Sequence, residues 1–481
     1  MSDLTRKIMP TVSEREEAGQ AARKSLGRGA LADWVPAERR PDPVALLAEQ
    51  EQSRVQELLP VRHERMSVSP FTFYRGTAVV MANDLGVLPT SGLNVQLCGD
   101  AHMSNFGMFA APDRSVIFDV NDFDETNPGP FEWDVIRLAV SALLAANENG
   151  VSAKDANTAV AACVLGYQRG MQEYARMTNL DIWYNRIDVS ELTKMAKDAG
   201  DKAGAKGLQK AVKKARTRDA WSAASKLTEV GPDGRRTFVN QPPLVAPIPM
   251  EGELAHRALT MFDQYLETMS EAPRRLIDQY SIVDLGHKVV GVGSVGLLSL
   301  VGLMQGRDET DLLILQFKQA QTSVLEPFSG ASEYTQHGER VVVGQRLMQA
   351  ASDAFLGWMT GPLGRAYYVR QLRDMKWSPD LATFDGAGLV KYAALCGGTL
   401  ARAHARTGDA VAINSYLGTS SRFADTMVAF AQRYAKVVDS DYAEFLAAVK
   451  DGRLGKAEQD PAQLDDAAGP VLNAFKRPVS E

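Results

Sequence analysis

VVGVGSVGLLSLVGLMQGRDETDLLILQFK, residues 289–318, decides how this chain folds. Gly291, Gly293 and Gly296 make a G-x-G-x-x-G pattern with Ser294 inside it. In a strand–turn–helix unit such glycines bind a dinucleotide, and an acidic residue about twenty positions on, here Asp311, holds the ribose. However, LLSLVGLM at 297–304 carries the apolar density of a strand, and GRDE at 306–309 marks a turn. The stretch is therefore expected to run strand 287–295, strand 297–304 and strand 312–318, joined by turns. Lys318 then sits in an otherwise apolar strand, which is costly unless it is paired. Its acidic partner is expected on the following segment: Glu339, on a helix predicted over 338–355, with Glu326 and Glu333 as alternatives. A glycine turn that covers phosphates, followed by a strand lysine that contacts them, is an apparatus for holding a nucleotide.

A second constellation lies upstream. LCGDAHMSNFG at 97–107 places Asp100 and Asn105 five apart in a loop after a predicted strand, 93–98. VIFDVNDFDE at 116–125 follows, and the hairpin 107–110 and 115–120 delivers Asp119, Asp122 and Asp124 toward that loop. Phosphoryl transfer needs one carboxylate to orient the attacking hydroxyl and hard oxygen ligands to hold Mg²⁺ against the phosphates. An acidic turn whose Asn and Asp serve only as caps is the competing reading. Helices are expected over 71–84 and from Glu132, where Ile136, Ala139, Val140, Leu143 and Leu144 form an apolar stripe.

The bulk numbers bound the partners. With 45% hydrophobic and 23% charged residues in 481, the chain has the balance of a globular protein with a substantial core. A net charge of −6 gives no global attraction to nucleic acid or to an anionic membrane. The three cysteines, Cys98, Cys163 and Cys396, are far apart and odd in number, which speaks for a reducing compartment. The polar first residues lack an apolar signal core, and no apolar run is long enough to span a bilayer, so a cytoplasmic location is expected. Residues 190–240 crowd lysines onto a polar helical stretch, read as a solvated insertion or as a basic patch facing a substrate.

The motif runs, with DPVALLAEQ (42–50), RHERMSVSPFTFYRG (62–76), GERVVVGQRLMQAASDAFLGW (338–358), YYVRQLRDMK (367–376) and LARAHARTGD (400–409), resemble the bacterial family known as domain of unknown function 2252. That family is grouped with the protein-kinase-like and aminoglycoside-phosphotransferase-like fold. The resemblance implies an α+β, two-lobed fold with circularly permuted lobe order, a helix-rich larger lobe and a small antiparallel β lobe. In ordinary kinases the glycine loop comes first, whereas here the catalytic loop near residue 100 precedes it. The implied organisation is an N-terminal arm (1–65), a catalytic-loop half (66–280), a glycine-loop β lobe (281–375), C-terminal helices (376–455) and a tail (456–481).

Residue by residue, GDAHMSN is similar to the HGDxHxxN loop of aminoglycoside phosphotransferases. This implies Asp100 as base and Asn105 as magnesium ligand, with Cys98 standing where the pattern has histidine. The metal aspartate is implied to be Asp119 first and Asp122 second, with Asp124 in the same segment. Asp134 is implied to tie down the loop backbone, and His102 to shape the loop or touch a phosphate. Gly291, Gly293, Ser294, Gly296, Lys318 and Glu339 are implied to hold the nucleotide. Arg75, Arg370 and Arg373 are candidates to neutralise phosphate or substrate charge. The helix carrying His404 resembles the one that normally runs into the catalytic loop. The implied activity uses ATP and Mg²⁺ to phosphorylate a hydroxyl of a small molecule or protein, with a nucleotide-binding pseudokinase or an AMP transferase as alternatives.

Overall fold

A computed structural model describes residues 9–454, except 219, 233, 243–244, 249–251, 290, 292, 362–363 and 373–374. The expected tail at 456–481 and Arg373 lie outside the described residues.

The glycine stretch joins two antiparallel strands, and the described residues between them form turn and no helix. Among the described residues, twelve strands run in chain order: β1 (Asn94–Leu97), β2 (Phe106–Ala110), β3 (Val116–Val120), β4 (Asn127–Pro130), β5 (Thr228–Val230), β6 (Arg236–Phe238), β7 (Val245–Ile248), β8 (Ser281–Lys288), β9 (Ser299–Gln305), β10 (Leu312–Gln319), β11 (Gly357–Thr360) and β12 (Ala366–Gln371). Six of them form one antiparallel sheet in the order β11-β12-β10-β9-β8-β7. β8 ends at Lys288, before the glycines, where the sequence suggested a strand running through to 295. β7 and β11 were not foreseen, and β7 brings chain from before residue 281 into the sheet. The basic stretch is helical as far as Leu227 and then forms the β5–β6 hairpin.

β10 shows why the sheet is amphipathic in two senses. Side chains alternate across a strand, so Leu313, Leu315 and Phe317 enter one apolar cluster with Tyr265, Met304 and Val369. Leu312 and Ile314 enter another on the opposite face with Ala224, Phe238 and Leu372. Continuing on that second face, Gln316 and Lys318 replace the apolar residues, in register with Arg370 and Tyr368 of β12. The polar end of this face is where the cleft opens.

The helices Phe131–Glu148, Ala153–Tyr174, Gly386–Ala405 and Arg422–Asp451 share one large core. The N-terminal segment belongs to it too, through Leu31, Trp34, Val44 and Leu47. Ala153–Tyr174 and Gly386–Ala405 cross at glycines, where backbone meets backbone: a Cβ on Gly397 would stand 1.9 Å from the Cys163 carbonyl oxygen, and one on Gly166 2.3 Å from that of Ala394. Two short antiparallel pairs, β1–β4 and β2–β3, lie at the edge of this helical body and present the loops between them toward the sheet. The result is a mixed α+β protein with small antiparallel sheets. Among the described residues no helix is long and apolar enough to cross a membrane.

Candidate functional site

The loop after β1 is held open by its neighbours. Gly99 takes φ +82°, and a Cβ there would stand 2.2 Å from the Glu125 carbonyl oxygen, so only glycine fits. Asp134, in the first turn of Phe131–Glu148, accepts hydrogen bonds from the backbone N–H of Cys98 (2.8 Å) and Gly99 (3.0 Å). His404 Nε2 lies 3.2 Å from the same carboxylate, and its Nδ1 meets the Tyr167 hydroxyl at 3.0 Å. A histidine from the helix Gly386–Ala405 thus steadies the carboxylate that holds the loop backbone.

Asp100 is thereby presented with Arg137 Nε 2.6 Å from Oδ1. Burial raises the Asp100 carboxyl above the ordinary aspartate value, against the pull of Arg137. Asn105 donates from Nδ2 to the Asp100 carbonyl (2.8 Å), which leaves its Oδ1 to face other groups. His102 Nε2 lies 3.6 Å from Asp100 Oδ2. Burial, with Arg75 and Arg137 nearby, pushes the His102 imidazole well below its ordinary value, so it is neutral.

The aspartates divide differently from the expectation. Asp119 is 2% exposed and pairs with Arg402 Nη2 at 2.5 Å, inside the helical body. It lines neither chamber of the cleft, because on β3 it points toward the helix Gly386–Ala405. Asp122 and Asp124, beyond the strand, line the cleft with Asp100 and Asn105. The expected partner of Lys318 also changes. Its ammonium contacts Asp124 and lies 4.0 Å from Asp122 Oδ1, whereas Glu339, Glu326 and Glu333 make no ion pair with it. Glu339 sits in the first turn of the helix His337–Met348, and it is its neighbour Arg340 that reaches inward, donating to the carbonyls of Asp124 (2.8 Å) and Gln321 (2.7 Å). Asp124 further accepts from the Tyr368 hydroxyl (2.8 Å) and from Ser294 Oγ (3.4 Å). Burial works against the Lys318 charge, but Asp122 and Asp124 together raise its pKa above the ordinary value. Asp124 is held low by Lys318 despite its burial, while burial and the Asp124 charge push Asp122 up.

The glycine turn is gripped from behind by residues that sequence reasoning left in an arm. Gly291 and Gly296 take φ of +70° and +88°. The Gly293 carbonyl accepts from Arg54 Nη1 and Arg62 Nη1, both at 2.8 Å, and Val295 O accepts from Arg54 Nη1 at 2.7 Å. Arg65 donates to Gly291 O, and Val55 N–H to Gly296 O (2.8 Å). Arginine-to-carbonyl contacts leave no periodic trace in a sequence, so nothing in residues 54–65 announced them.

Two connected chambers result. The larger, of about 650 Å³, has Lys318, Gln316, Arg370 and Leu372 on its sheet side and Phe109 and Phe355 among its apolar walls. The smaller, of about 150 Å³, contains Asp100, Asn105, His102, Asp124, Glu125 and Arg75. Asp122, Gly291 and Ser294 border both. Among the described residues, no group of three or more His, Cys, Asp or Glu is arranged to hold a metal ion.

Glu125 supplies a test of this electrostatic environment. It accepts from Val324 N–H (2.8 Å), yet burial raises its carboxyl to about 7. A folded-state value above the unfolded one means that the folded protein binds the extra proton between the two. The associated stability is present below about 4.5 and is lost as pH rises through about 7. Glu125→Gln, neutral at every pH, is expected to flatten the decline in unfolding free energy over that window. Denaturant unfolding at pH 5 and pH 8 checks it: the variant gains relative to wild type at pH 8 and not at pH 5.

The architecture is that of an α+β protein whose polar cleft lies between a helical body and an antiparallel sheet. Residues 54–448 match the family model described as an uncharacterized protein conserved in bacteria (DUF2252), and the chain belongs to that family. No curated protein and no solved structure matches it.

Proposed function

We propose that the protein is an ATP- and Mg²⁺-dependent phosphotransferase of kinase-like, circularly permuted fold. The observation that carries this reading is one cleft whose connected chambers gather Asp100, Asn105 and Asp122 beside the glycine turn, with Lys318 set against Asp122 and Asp124. The groups come from distant stretches of chain; the Lys318–Asp124 contact spans 194 residues. The strand order also supports it: two strands joined by the glycine turn are followed by the strand that carries the lysine, all antiparallel. So does the helix Gly386–Ala405, which supplies the loop's His404 anchor although it follows the loop in sequence, as a permuted chain requires.

The donor set suits magnesium. Asn105 and Asp122 offer hard oxygens on one side of the cleft, and Mg²⁺ is ordinarily held by one or two carboxylates plus substrate phosphates. Bound there, the ion would neutralise charge on the transferring phosphoryl group. The chain's own residues do the rest. Asp100, its carboxyl raised by burial, accepts the acceptor's hydroxyl proton as that oxygen bonds to the γ-phosphorus. The bond from that phosphorus to the bridging oxygen breaks, and ADP leaves. Lys318, freed from Asp124, holds phosphate charge, while the glycine turn closes over it through backbone N–H groups. Asp134 and Arg137 keep Asp100 in place.

The test is thermal unfolding with ATP, with and without Mg²⁺. A ligand at a hundredfold excess over its Kd stabilises the native state by about 2.7 kcal/mol. A Mg²⁺-dependent shift is expected in the wild type and in Asp100→Ala, and it is expected to vanish in Lys318→Ala and Asp122→Ala. Intact-mass analysis of acceptors then separates phosphoryl from AMP transfer. Absence of any nucleotide shift in the wild type would remove the reading.

A further inference from the structure

The two chambers differ in what they can take, and the smaller one says something about the acceptor. It is the chamber that contains Asp100, so under the function proposed above, on which this inference rests, the acceptor's hydroxyl must enter it. Its volume of about 150 Å³ is small; a cavity of about that volume takes a ligand the size of benzene. The acceptor portion that enters is therefore a compact group of a few heavy atoms.

A basic residue of the same chamber carries the second clue. Arg75 follows the short helix Pro70–Tyr74, and its partly buried side chain lines this chamber. Its Nε has no hydrogen-bond partner, and among the described residues its guanidinium forms no ion pair. The nearby carboxylates do not require it. Asp100 is paired with Arg137 at 2.6 Å, Glu125 accepts the Val324 N–H, and Asp124, once Lys318 turns to the phosphates, still accepts from the Tyr368 hydroxyl (2.8 Å) and Ser294 Oγ (3.4 Å). Arg54, the chamber's other arginine, is occupied with the carbonyls of Gly293 and Val295. Asp100, Glu148 and Asp122 favour the Arg75 charge from a distance, but none makes direct contact with it, and the planar fork of a guanidinium matches a carboxylate or phosphate in two-pronged fashion.

We propose that the acceptor is a small hydroxylated anion, of the hydroxy-acid or polyol-phosphate type, whose hydroxyl is presented to Asp100 while its carboxylate or phosphate is held by Arg75. Binding of the anion at Arg75 fixes the distance from charged group to reacting oxygen. This selects against neutral polyols and against cationic amino-sugars.

Thermal unfolding of the full chain, with Mg²⁺ and a non-hydrolysable ATP analogue present, tests this with matched probes: glycolate, glycerate, glycerol 3-phosphate and neutral glycerol. At least one of the anions is expected to add a shift beyond that of the analogue, and glycerol is expected to add none; glycerate against glycerol 3-phosphate tells carboxylate from phosphate. A hydrogen bond to a charged group contributes about 1.5–3 kcal/mol, so Arg75→Gln is expected to weaken the anion about tenfold to a hundredfold. Arg75→Lys, which keeps the charge without the fork, is expected to fall between. The analogue's own shift stays as in the wild type. If none of the anions adds a shift, or if Arg75→Gln binds them as well as the wild type does, the proposal is wrong while the nucleotide reading stands. If Arg75→Gln instead abolishes the analogue's shift, Arg75 serves the nucleotide and the proposal is overturned. If the wild type shows no analogue shift at all, the functional reading fails and takes this one with it.

Discussion

Gly397→Ala is expected to destabilise the protein by about 3 kcal/mol or more, although alanine is the better helix former by about 1 kcal/mol. The added methyl carbon would stand 1.9 Å from the carbonyl oxygen of Cys163 and 3.0 Å from the backbone nitrogen of Tyr167. Neither is the flexible end of a side chain, so the helices Ala153–Tyr174 and Gly386–Ala405 would have to move apart along their crossing. That crossing lies in the large core and positions Arg402 and His404. The adjacent Gly398 is the control, since a Cβ there meets only the Gly166 carbonyl oxygen at 3.9 Å. Gly398→Ala is expected to be neutral or to stabilise by up to about 1 kcal/mol. Urea unfolding of the two variants checks both, and equal behaviour would mean that the helices do not cross this closely.

Asp119→Ala is expected to cost about 3–5 kcal/mol, because it strands the Arg402 guanidinium inside the helical body. Arg402 is fully buried, its Nη2 is shared between Asp119 and the Met348 carbonyl (2.9 Å), and its Nε and Nη1 have no partner. Asp122→Ala is expected to behave differently. Asp122 borders open cleft, where its attraction to Lys318 is offset by its burial and by repulsion from Asp124, so its loss is expected to cost less stability than that of Asp119 and to remove the Mg²⁺-dependent part of the nucleotide shift. Unfolding free energy and nucleotide shift, measured on both variants, separate a structural aspartate from one that serves a ligand. A stable Asp119→Ala that lost the Mg²⁺ effect would reverse the assignment.

These two aspartates also mark how far the sequence could be read. β9 and β10 were legible because two apolar runs are separated by the turn residues 306–309, whereas β8 lies at 281–288 and shares only its last two residues with the expected strand 287–295. Lys318 was legible as a cation in an apolar strand. Which aspartate faces the cleft was not, because Asp119, Asp122 and Asp124 differ by a turn whose direction depends on pairing with β2 and on Arg402, 283 residues away. The acidic partner of Lys318 was expected on the segment after its strand, whereas Asp124, on the segment after β3, fills that place in space. The grip of Arg54, Arg62 and Arg65 on the glycine turn had no sequence signal, since a backbone carbonyl is present at every residue and none is marked as the acceptor.

The same grip has a consequence for how the molecule comes into being. Arg54 and Gly293 are separated by 239 residues, and Asp134 and His404 by 270. At about 5–20 residues per second, a ribosome needs roughly ten to fifty seconds to deliver the carbonyls that Arg54 and Arg62 will bind. It then needs roughly six to twenty seconds more for the histidine that steadies the loop around Asp100. Through that interval the emerging chain carries arginines destined for burial with nothing to satisfy them, and no ligand can rescue it, because both walls of the cleft do not yet exist. Nucleotide, if it stabilises this protein, can do so only after the helix at 386–405 has left the ribosome; fragments truncated before it are expected to depend on chaperones however much ligand the cell contains.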